Sequence, residues 1–251
     1  MEHRLEERVF SCIDNTTLGA TDSAASVEQF CRRTLEMAVG SGGQRVAAVC
    51  VYPQFVEVAK RVLDGSGVAV AVVAGGFPHG QIPLEWKVEE VRRVIDLGAD
   101  EVDVVINRGA LLAGEENMVC DEVAAMKQVC KGHLLKVILE TGELPTQELI
   151  RRAAELAIEG GADFIKTSTG KIVQGATLEA ARVMLECIQD NVKFKKKTVG
   201  LKLSGGIRKV EDAVEFATLA KKMMGEEYIE KQTFRIGASS LTEGMFSFLT
   251  L

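Results

Sequence analysis

Four ionisable side chains stand inside apolar, β-rich runs of the sequence. Lys136 lies in Leu134-Leu-Lys-Val-Ile-Leu139, Lys166 in Phe164-Ile-Lys-Thr-Ser168, Lys202 in Val199-Gly-Leu-Lys-Leu203 and Asp103 in Glu101-Val-Asp-Val-Val105. Lysine is almost never fully buried unless paired, because stranding its charge costs several kcal/mol. One such lysine reads as a structural ion pair; three lysines and an aspartate on four consecutive runs are hard to explain by packing. What a lysine offers is a nucleophile, since a neutral amine adds to an aldehyde carbonyl. At the unperturbed pKa of about 10.4, about one lysine in 2,500 is neutral at pH 7, and lowering the pKa to near 7 raises that fraction to about half. Desolvation and a neighbouring cation both push in this direction. A second lysine on the next strand is therefore what such a nucleophile requires, although the pairing leaves open which lysine attacks.

A second constellation is built from small residues. Thr167-Ser-Thr169-Gly170-Lys171, Ser204-Gly205-Gly206 and Gly237-Ala-Ser239-Ser240 follow three successive apolar runs. Glycines let backbone amides close on an anion, serines add donors and Lys171 supplies charge. A single loop of this kind reads as an ordinary turn, whereas three on one face read as a phosphate site. The expected contacts are the amides of Gly170, Gly205, Gly206 and Gly237, completed by Lys171, Ser239 and Ser240.

The elements that must position these residues follow from periodicity. Runs suited to strands are Val9–Asp14, Val46–Tyr52, Val68–Ala74, Glu101–Asn107, Leu134–Glu140, Phe164–Ser168, Thr198–Ser204 and Phe234–Ser239. Several are apolar at nearly every position, as strands covered on both faces must be. Amphipathic helices separate them. Ser26 with Gln29 predicts a capping box ahead of a helix with the stripe Val27, Phe30, Thr34, Leu35 and Ala38. Pro83 suits the first turn of a helix carrying Leu84, Val88, Val91 and Ile95 and stopped by Gly98. Ala213, Phe216, Ala217 and Ala220 line another. Eight strands alternating with helices over 251 residues predict one closed (β/α)8 TIM barrel, an α/β fold with a single domain spanning residues 1–251. A doubly wound sheet is the alternative, but no G-x-G-x-x-G follows the first run. Gly98-Ala-Asp-Glu-Val-Asp103 and Gly161-Ala-Asp-Phe-Ile-Lys166 echo each other two βα units apart. Alternate strands of a barrel share interior layers, so Asp103 and Lys166 are both expected to point inward.

Bulk properties narrow the function classes. A net charge of −6 and a pI near 5.3 argue against a nucleic-acid surface. The basic cluster Lys193, Lys195, Lys196 and Lys197 reads as a solvated loop before a strand. Cys12, Cys31, Cys50, Cys120, Cys130 and Cys187 contain no C-x-x-C pair, and Cys12, Cys50 and Cys187 fall in apolar strands or on helix faces, which is reduced, intracellular usage. Met1–Glu7 is charged and lacks the apolar core of a signal peptide, and no apolar run approaches the roughly 20 residues needed to span a bilayer. A soluble, cytosolic protein is expected. His3, His79 and His133 show no ligand spacing, so no metal and no cofactor is expected. His79, in Phe77-Pro-His-Gly80, reads as a turn.

Taken in order along the chain, these motifs resemble deoxyribose-phosphate aldolase, a class I aldolase family. The resemblance rests on Asp14-x-Thr16-x-Leu18, Glu101-Val-Asp103-Val-Val, Leu135-Lys136-Val-Ile-Leu-Glu140-Thr-Gly-Glu143 and Gly161-Ala-Asp-Phe-Ile-Lys166-Thr-Ser-Thr-Gly170-Lys171. It continues through Lys202-x-x-Gly205-Gly206-Ile-Arg208 and Arg235-x-Gly237-Ala-Ser239-Ser240. It implies that Lys166 forms an imine, that Lys202 tunes it and that Asp103 joins a proton relay. It also implies that Asp14, Thr16, Cys50, Lys136 and Thr169 line the substrate pocket, with Cys50 packing there as an isolated thiol. The implied substrate is a small phosphorylated sugar, 2-deoxyribose 5-phosphate, cleaved reversibly to acetaldehyde and glyceraldehyde 3-phosphate. Longer members end in a flexible tail bearing a tyrosine that assists proton transfer. This sequence ends Met245-Phe-Ser-Phe-Leu-Thr-Leu251, and its tyrosines are Tyr52 and Tyr228, so slow turnover or proton movement by water is expected. Two rivals are a metal-assisted barrel enzyme and a catalytically weak homologue serving as a binding or scaffold protein. Neither nucleic acid nor membrane is an expected partner, and a homo-oligomer is compatible with the sequence.

Overall fold

The computed structural model describes residues 5–40, 42–195 and 198–250. Its eight strands are β1 (Ile13–Thr16), β2 (Ala48–Val51), β3 (Ala69–Val73), β4 (Glu101–Val105), β5 (Leu134–Ile138), β6 (Phe164–Lys166), β7 (Gly200–Ser204) and β8 (Phe234–Ala238). All pair in parallel and in sequence order, and β1 pairs with β8, so the sheet closes into a barrel. The helices are α1 (Leu5–Ser11), α2 (Ala24–Glu36), α3 (Val56–Leu63), α4 (Leu84–Asp96), α5 (Arg108–Leu112), α6 (Glu116–Val129), α7 (Gln147–Glu159), α8 (Leu178–Lys195), α9 (Val210–Met224) and α10 (Leu241–Thr250). Among the described residues, no helix is long and apolar enough to cross a membrane.

Strand register divides the core in two. Outward strand residues such as Val49, Val70, Val102, Leu135, Ile165, Leu201 and Ile236 join the helices in one continuous apolar layer. Inside the barrel, a small separate cluster of Ala48, Cys50, Ala71 and Val73 occupies β2 and β3. The register pairs Asp103 with Lys136, Lys166 with Lys202 and Lys202 with Arg235. Paired residues of adjacent parallel strands point to the same face, so these long side chains fill the interior from β4 to β8. Short residues on β2 and β3 leave room for them. Gly237 extends the logic to β8, because a Cβ there would sit 3.0 Å from Lys202 Cε.

Four local expectations are corrected. Val9 and Phe10 belong to α1, and β1 begins at Ile13; a short apolar run does not by itself distinguish strand from helix. The α2 cap is Ser23, not Ser26: the Ser23 hydroxyl accepts from the Ser26 amide at 3.2 Å and the Ser26 hydroxyl accepts from the Ser23 amide at 2.8 Å. Serine at the third helical position closes the reciprocal pair that glutamine was expected to close. Lys193 and Lys195 lie in α8 rather than in a loop, while Lys196 and Lys197 lie outside the described residues. On α4 the buried stripe is Lys87, Val91 and Val94, with Leu84, Val88 and Ile95 half-buried beside it. Lys87 is tolerated there because its Nζ pairs with Glu122 Oε2 of α6 at 2.6 Å. His79 sits in the expected turn, its amide donating to the Gly76 carbonyl at 3.1 Å.

Candidate active site

Seven charged residues meet inside the barrel. Lys136 Nζ on β5 lies 2.6 Å from Glu101 Oε2, 2.8 Å from Asp103 Oδ1 and 3.5 Å from Asp14 Oδ2. Lys202 Nζ on β7 lies 2.5 Å from Asp14 Oδ2 and 2.7 Å from Asp103 Oδ2. Lys166 Nζ on β6 has one acidic partner among the described residues, Asp103 Oδ2 at 2.7 Å. Arg235 on β8 forks onto Glu101 through Nη2–Oε1 at 2.7 Å and Nη1–Oε2 at 3.0 Å, and its Nη1 also donates to Asp14 Oδ1 at 2.6 Å. With Lys166 neutral, the remaining Lys136, Lys202 and Arg235 balance Asp14, Glu101 and Asp103. Burial of these groups is tolerable only because each charge has such partners.

The three lysines are driven apart electrostatically. Burial lowers the pKa of Lys166; the charge of Asp103 opposes this and the Lys202 cation assists it, leaving a net decrease. Burial would also lower Lys136, but Asp103, Glu101 and Asp14 outweigh it and its pKa is raised. For Lys202 the same burial is outweighed by Asp103 and Asp14, again with a net rise. Burial would raise both aspartates. Instead, Lys136, Lys166 and Lys202 hold Asp103 well below the usual carboxylate range, and Lys202, Arg235 and Lys136 do the same for Asp14. Divergent pKa values in one cluster are the means by which a site assigns one group as nucleophile and its neighbours as fixed charges.

Above this network, at the C-terminal ends of the strands, a cavity of about 440 Å³ opens. Lys166 reaches its floor. Thr169, Gly170 and Lys171 form the wall after β6, Ser204, Gly205, Gly206, Ile207 and Arg208 the wall after β7, and Gly237, Ala238 and Ser239 the wall after β8. Thr16, Thr17, Leu18 and Gly19 after β1 complete it. The walls after β6 and β7 approach backbone to backbone: Gly205 has φ +83°, and a Cβ on it would lie 2.9 Å from Gly175 Cα. Only glycine satisfies both conditions at Gly205. Lys171 Nζ donates to the Leu18 carbonyl and stands 5.8 Å from the centre of the Tyr52 ring, which joins opposite rims of the cavity. Cationic Lys171 and Arg208, with amide-rich turns between them, suit the cavity to an anionic small molecule.

Most expected site residues converge here. Lys166, Thr16, Thr169, Gly170, Lys171, Gly205, Gly206, Gly237 and Ser239 line the cavity. Asp14, Asp103, Lys136, Lys202 and Cys50 lie fully buried beneath it, and Ser240 is exposed at the head of α10 outside the lining. Cys50 faces the interior, where burial pushes its thiol pKa up and disfavours a reactive thiolate. Sequence reasoning overlooked Glu101 and Arg235 as members of the buried network. A charged residue in Phe234-Arg-Ile-Gly-Ala238 was the available signal. Thr17, Gly19 and Ile207 carry no local signal and enter the site through loop placement alone.

A closed parallel barrel with an interior lysine opening into a cationic cavity at the strand C-termini defines a barrel enzyme acting on a small molecule. The chain belongs to the DeoC/LacD aldolase family, whose model matches residues 8–242. It is similar to the aldolase QR15 at 33% identity, covering 96% of each chain with a TM-score of 0.78. A candidate deoxyribose-phosphate aldolase of Coccidioides immitis is 31% identical over 98% of this chain and 87% of that one, with a TM-score of 0.83. The deoxyribose phosphate aldolase of Aeropyrum pernix, a tetramer, is 28% identical over 97% of this chain and 92% of that one, with a TM-score of 0.76.

Proposed function

We propose that this aldolase cleaves 2-deoxyribose 5-phosphate reversibly to acetaldehyde and glyceraldehyde 3-phosphate through a Schiff base on Lys166. One observation carries the reading: Lys166 alone of the three interior lysines lines the cavity. Among the described residues it also has the fewest acidic partners, one against two for Lys202 and three for Lys136. It is therefore the amine that can be neutral and reach a carbonyl. The neutral amine adds to C1 of the open-chain sugar, and loss of water gives an iminium. Removal of the C3 hydroxyl proton then lets the C2–C3 bond break. Its electron pair flows to nitrogen as an enamine, and glyceraldehyde 3-phosphate departs. Protonation at the former C2 and hydrolysis release acetaldehyde and restore the amine. Asp103, 2.7 Å from the Lys166 amine, and Lys202, paired with the same carboxylate oxygen, relay these protons through water in this reading.

The amides of Gly170, Gly205, Gly206 and Gly237, with Lys171, Arg208, Ser239 and Ser240, are the proposed phosphate donors. Support comes from the position of this wall after β6, β7 and β8, the edge where barrels commonly hold phosphate. Borohydride reduction in the presence of acetaldehyde, followed by peptide mapping, tests the mechanism. A two-carbon adduct on Lys166 is expected. Label on Lys136 or Lys202 would overturn the assignment, and no label would sink the imine.

A further inference from the structure

We infer that Glu140 is a positioning residue for the cavity wall after β6; the inference rests on the phosphate reading above. Glu140 lies just past β5 with φ +54° and ψ +59°, a left-handed backbone that side chains other than glycine, asparagine and aspartate seldom adopt. It is 1% exposed, and among the described residues no cation pairs with its carboxylate. Both oxygens turn instead to one residue. Oε1 accepts from the Thr169 amide at 3.1 Å and Oε2 accepts from the Thr169 hydroxyl. With its proton committed to Glu140, Thr169 Oγ1 is left as an acceptor, and it takes the Lys171 amide at 3.1 Å. One carboxylate thus fixes the Thr169-Gly170-Lys171 turn from below.

The neighbouring chain reinforces this bracing. The Thr141 amide donates to the Thr167 carbonyl at 2.9 Å, extending the β5–β6 ladder past the end of both strands. A Cβ at Gly142 would sit 2.6 Å from the Gln174 carbonyl oxygen, so the turn after β5 packs directly on the loop after Lys171. Glu143 in that turn pairs at 2.5 Å with Arg108 of α5. A buried carboxylate held by hydrogen bonds alone, with no cation beside it among the described residues, on a strained backbone is costly, and such outliers persist where the surrounding structure enforces them. What this one secures is the geometry of three residues that line the cavity.

Glu140→Gly permits the left-handed backbone but removes the whole side chain, whereas Glu140→Gln keeps its volume and an acceptor for the Thr169 amide and reverses the bond to Thr169 Oγ1, its NH2 donating where the carboxylate accepted. In Glu140→Gly, KM for 2-deoxyribose 5-phosphate should rise about tenfold with kcat within about threefold, while kcat/KM for unphosphorylated 2-deoxyribose changes little. Inorganic phosphate, titrated calorimetrically, should bind about tenfold more weakly to Glu140→Gly than to the parent, with Glu140→Gln close to the parent. Borohydride trapping of acetaldehyde on Lys166 should survive in both variants. A parental phosphate affinity in Glu140→Gly, a Glu140→Gln variant as impaired as Glu140→Gly, or an equal loss with both sugars would each overturn the role. The phosphate titration is read without turnover, so it stands even where the proposed cleavage reaction fails.

Discussion

Replacing Lys202 with methionine tests the electrostatic argument most directly, because methionine fills a similar volume without the charge. The Lys166 and Lys202 ammonium nitrogens each lie 2.7 Å from the same oxygen, Asp103 Oδ2. They are therefore no more than about 5.4 Å apart, where two unit charges at an effective dielectric of about 20 repel by roughly 3 kcal/mol. At about 1.4 kcal/mol per pKa unit, losing the Lys202 cation should raise the Lys166 pKa by about two units. The sign is fixed: a higher pKa leaves less neutral amine at pH 7. Initial rates at neutral pH should fall on the order of a hundredfold and recover as the pH is raised by about two units. The fold should tolerate the change, since Asp14 retains Arg235 and Lys136, and Asp103 retains Lys136 and Lys166. The assay is kcat/KM from pH 6 to 10 for parent and variant, with thermal melts to confirm folding. A folded variant with a pH profile of unchanged shape would refute the tuning role of Lys202.

Further outcomes follow from the same contacts. Asp103→Asn should retain trapping of acetaldehyde on Lys166 while turnover drops by about two orders of magnitude, as expected when a proton-transfer group is removed; equal loss of both would place Asp103 earlier in the reaction. Ser239→Asp sets a carboxylate against the proposed phosphate, and repulsion in a partly desolvated pocket should cost several kcal/mol in kcat/KM for the phosphorylated sugar. Unphosphorylated 2-deoxyribose should be nearly unaffected, and equal change for both sugars would put the phosphate elsewhere. Arg235→Met leaves Glu101 and Asp14 sharing Lys136, with Asp14 also keeping Lys202, and should destabilise the barrel by about 3 kcal/mol or more in urea titration. A midpoint equal to the parent's would show that the fork contributes nothing.

The sequence by itself determined the barrel and the lysine cluster. Alternating apolar runs and amphipathic stretches have few solutions other than a closed parallel sheet at this length, and burying three lysines without a purpose is too costly to pass as packing. Boundaries were less legible. Val9 and Phe10 suit α1 and β1 equally, because a pair of apolar residues carries no period. Which of the interior lysines opens to the cavity was decided only by tertiary structure, since Lys136, Lys166 and Lys202 look alike in their strands. The distinction comes from acidic partners contributed by β1 and β4, and from depth: Lys166 reaches the cavity while Lys136 and Lys202 are sealed beneath it. Glu101 and Arg235 show the same limit, for their pairing spans 134 positions and appears only when closure brings β8 across from β4. Local pattern is set by neighbours along the chain, whereas pKa is set by neighbours in space.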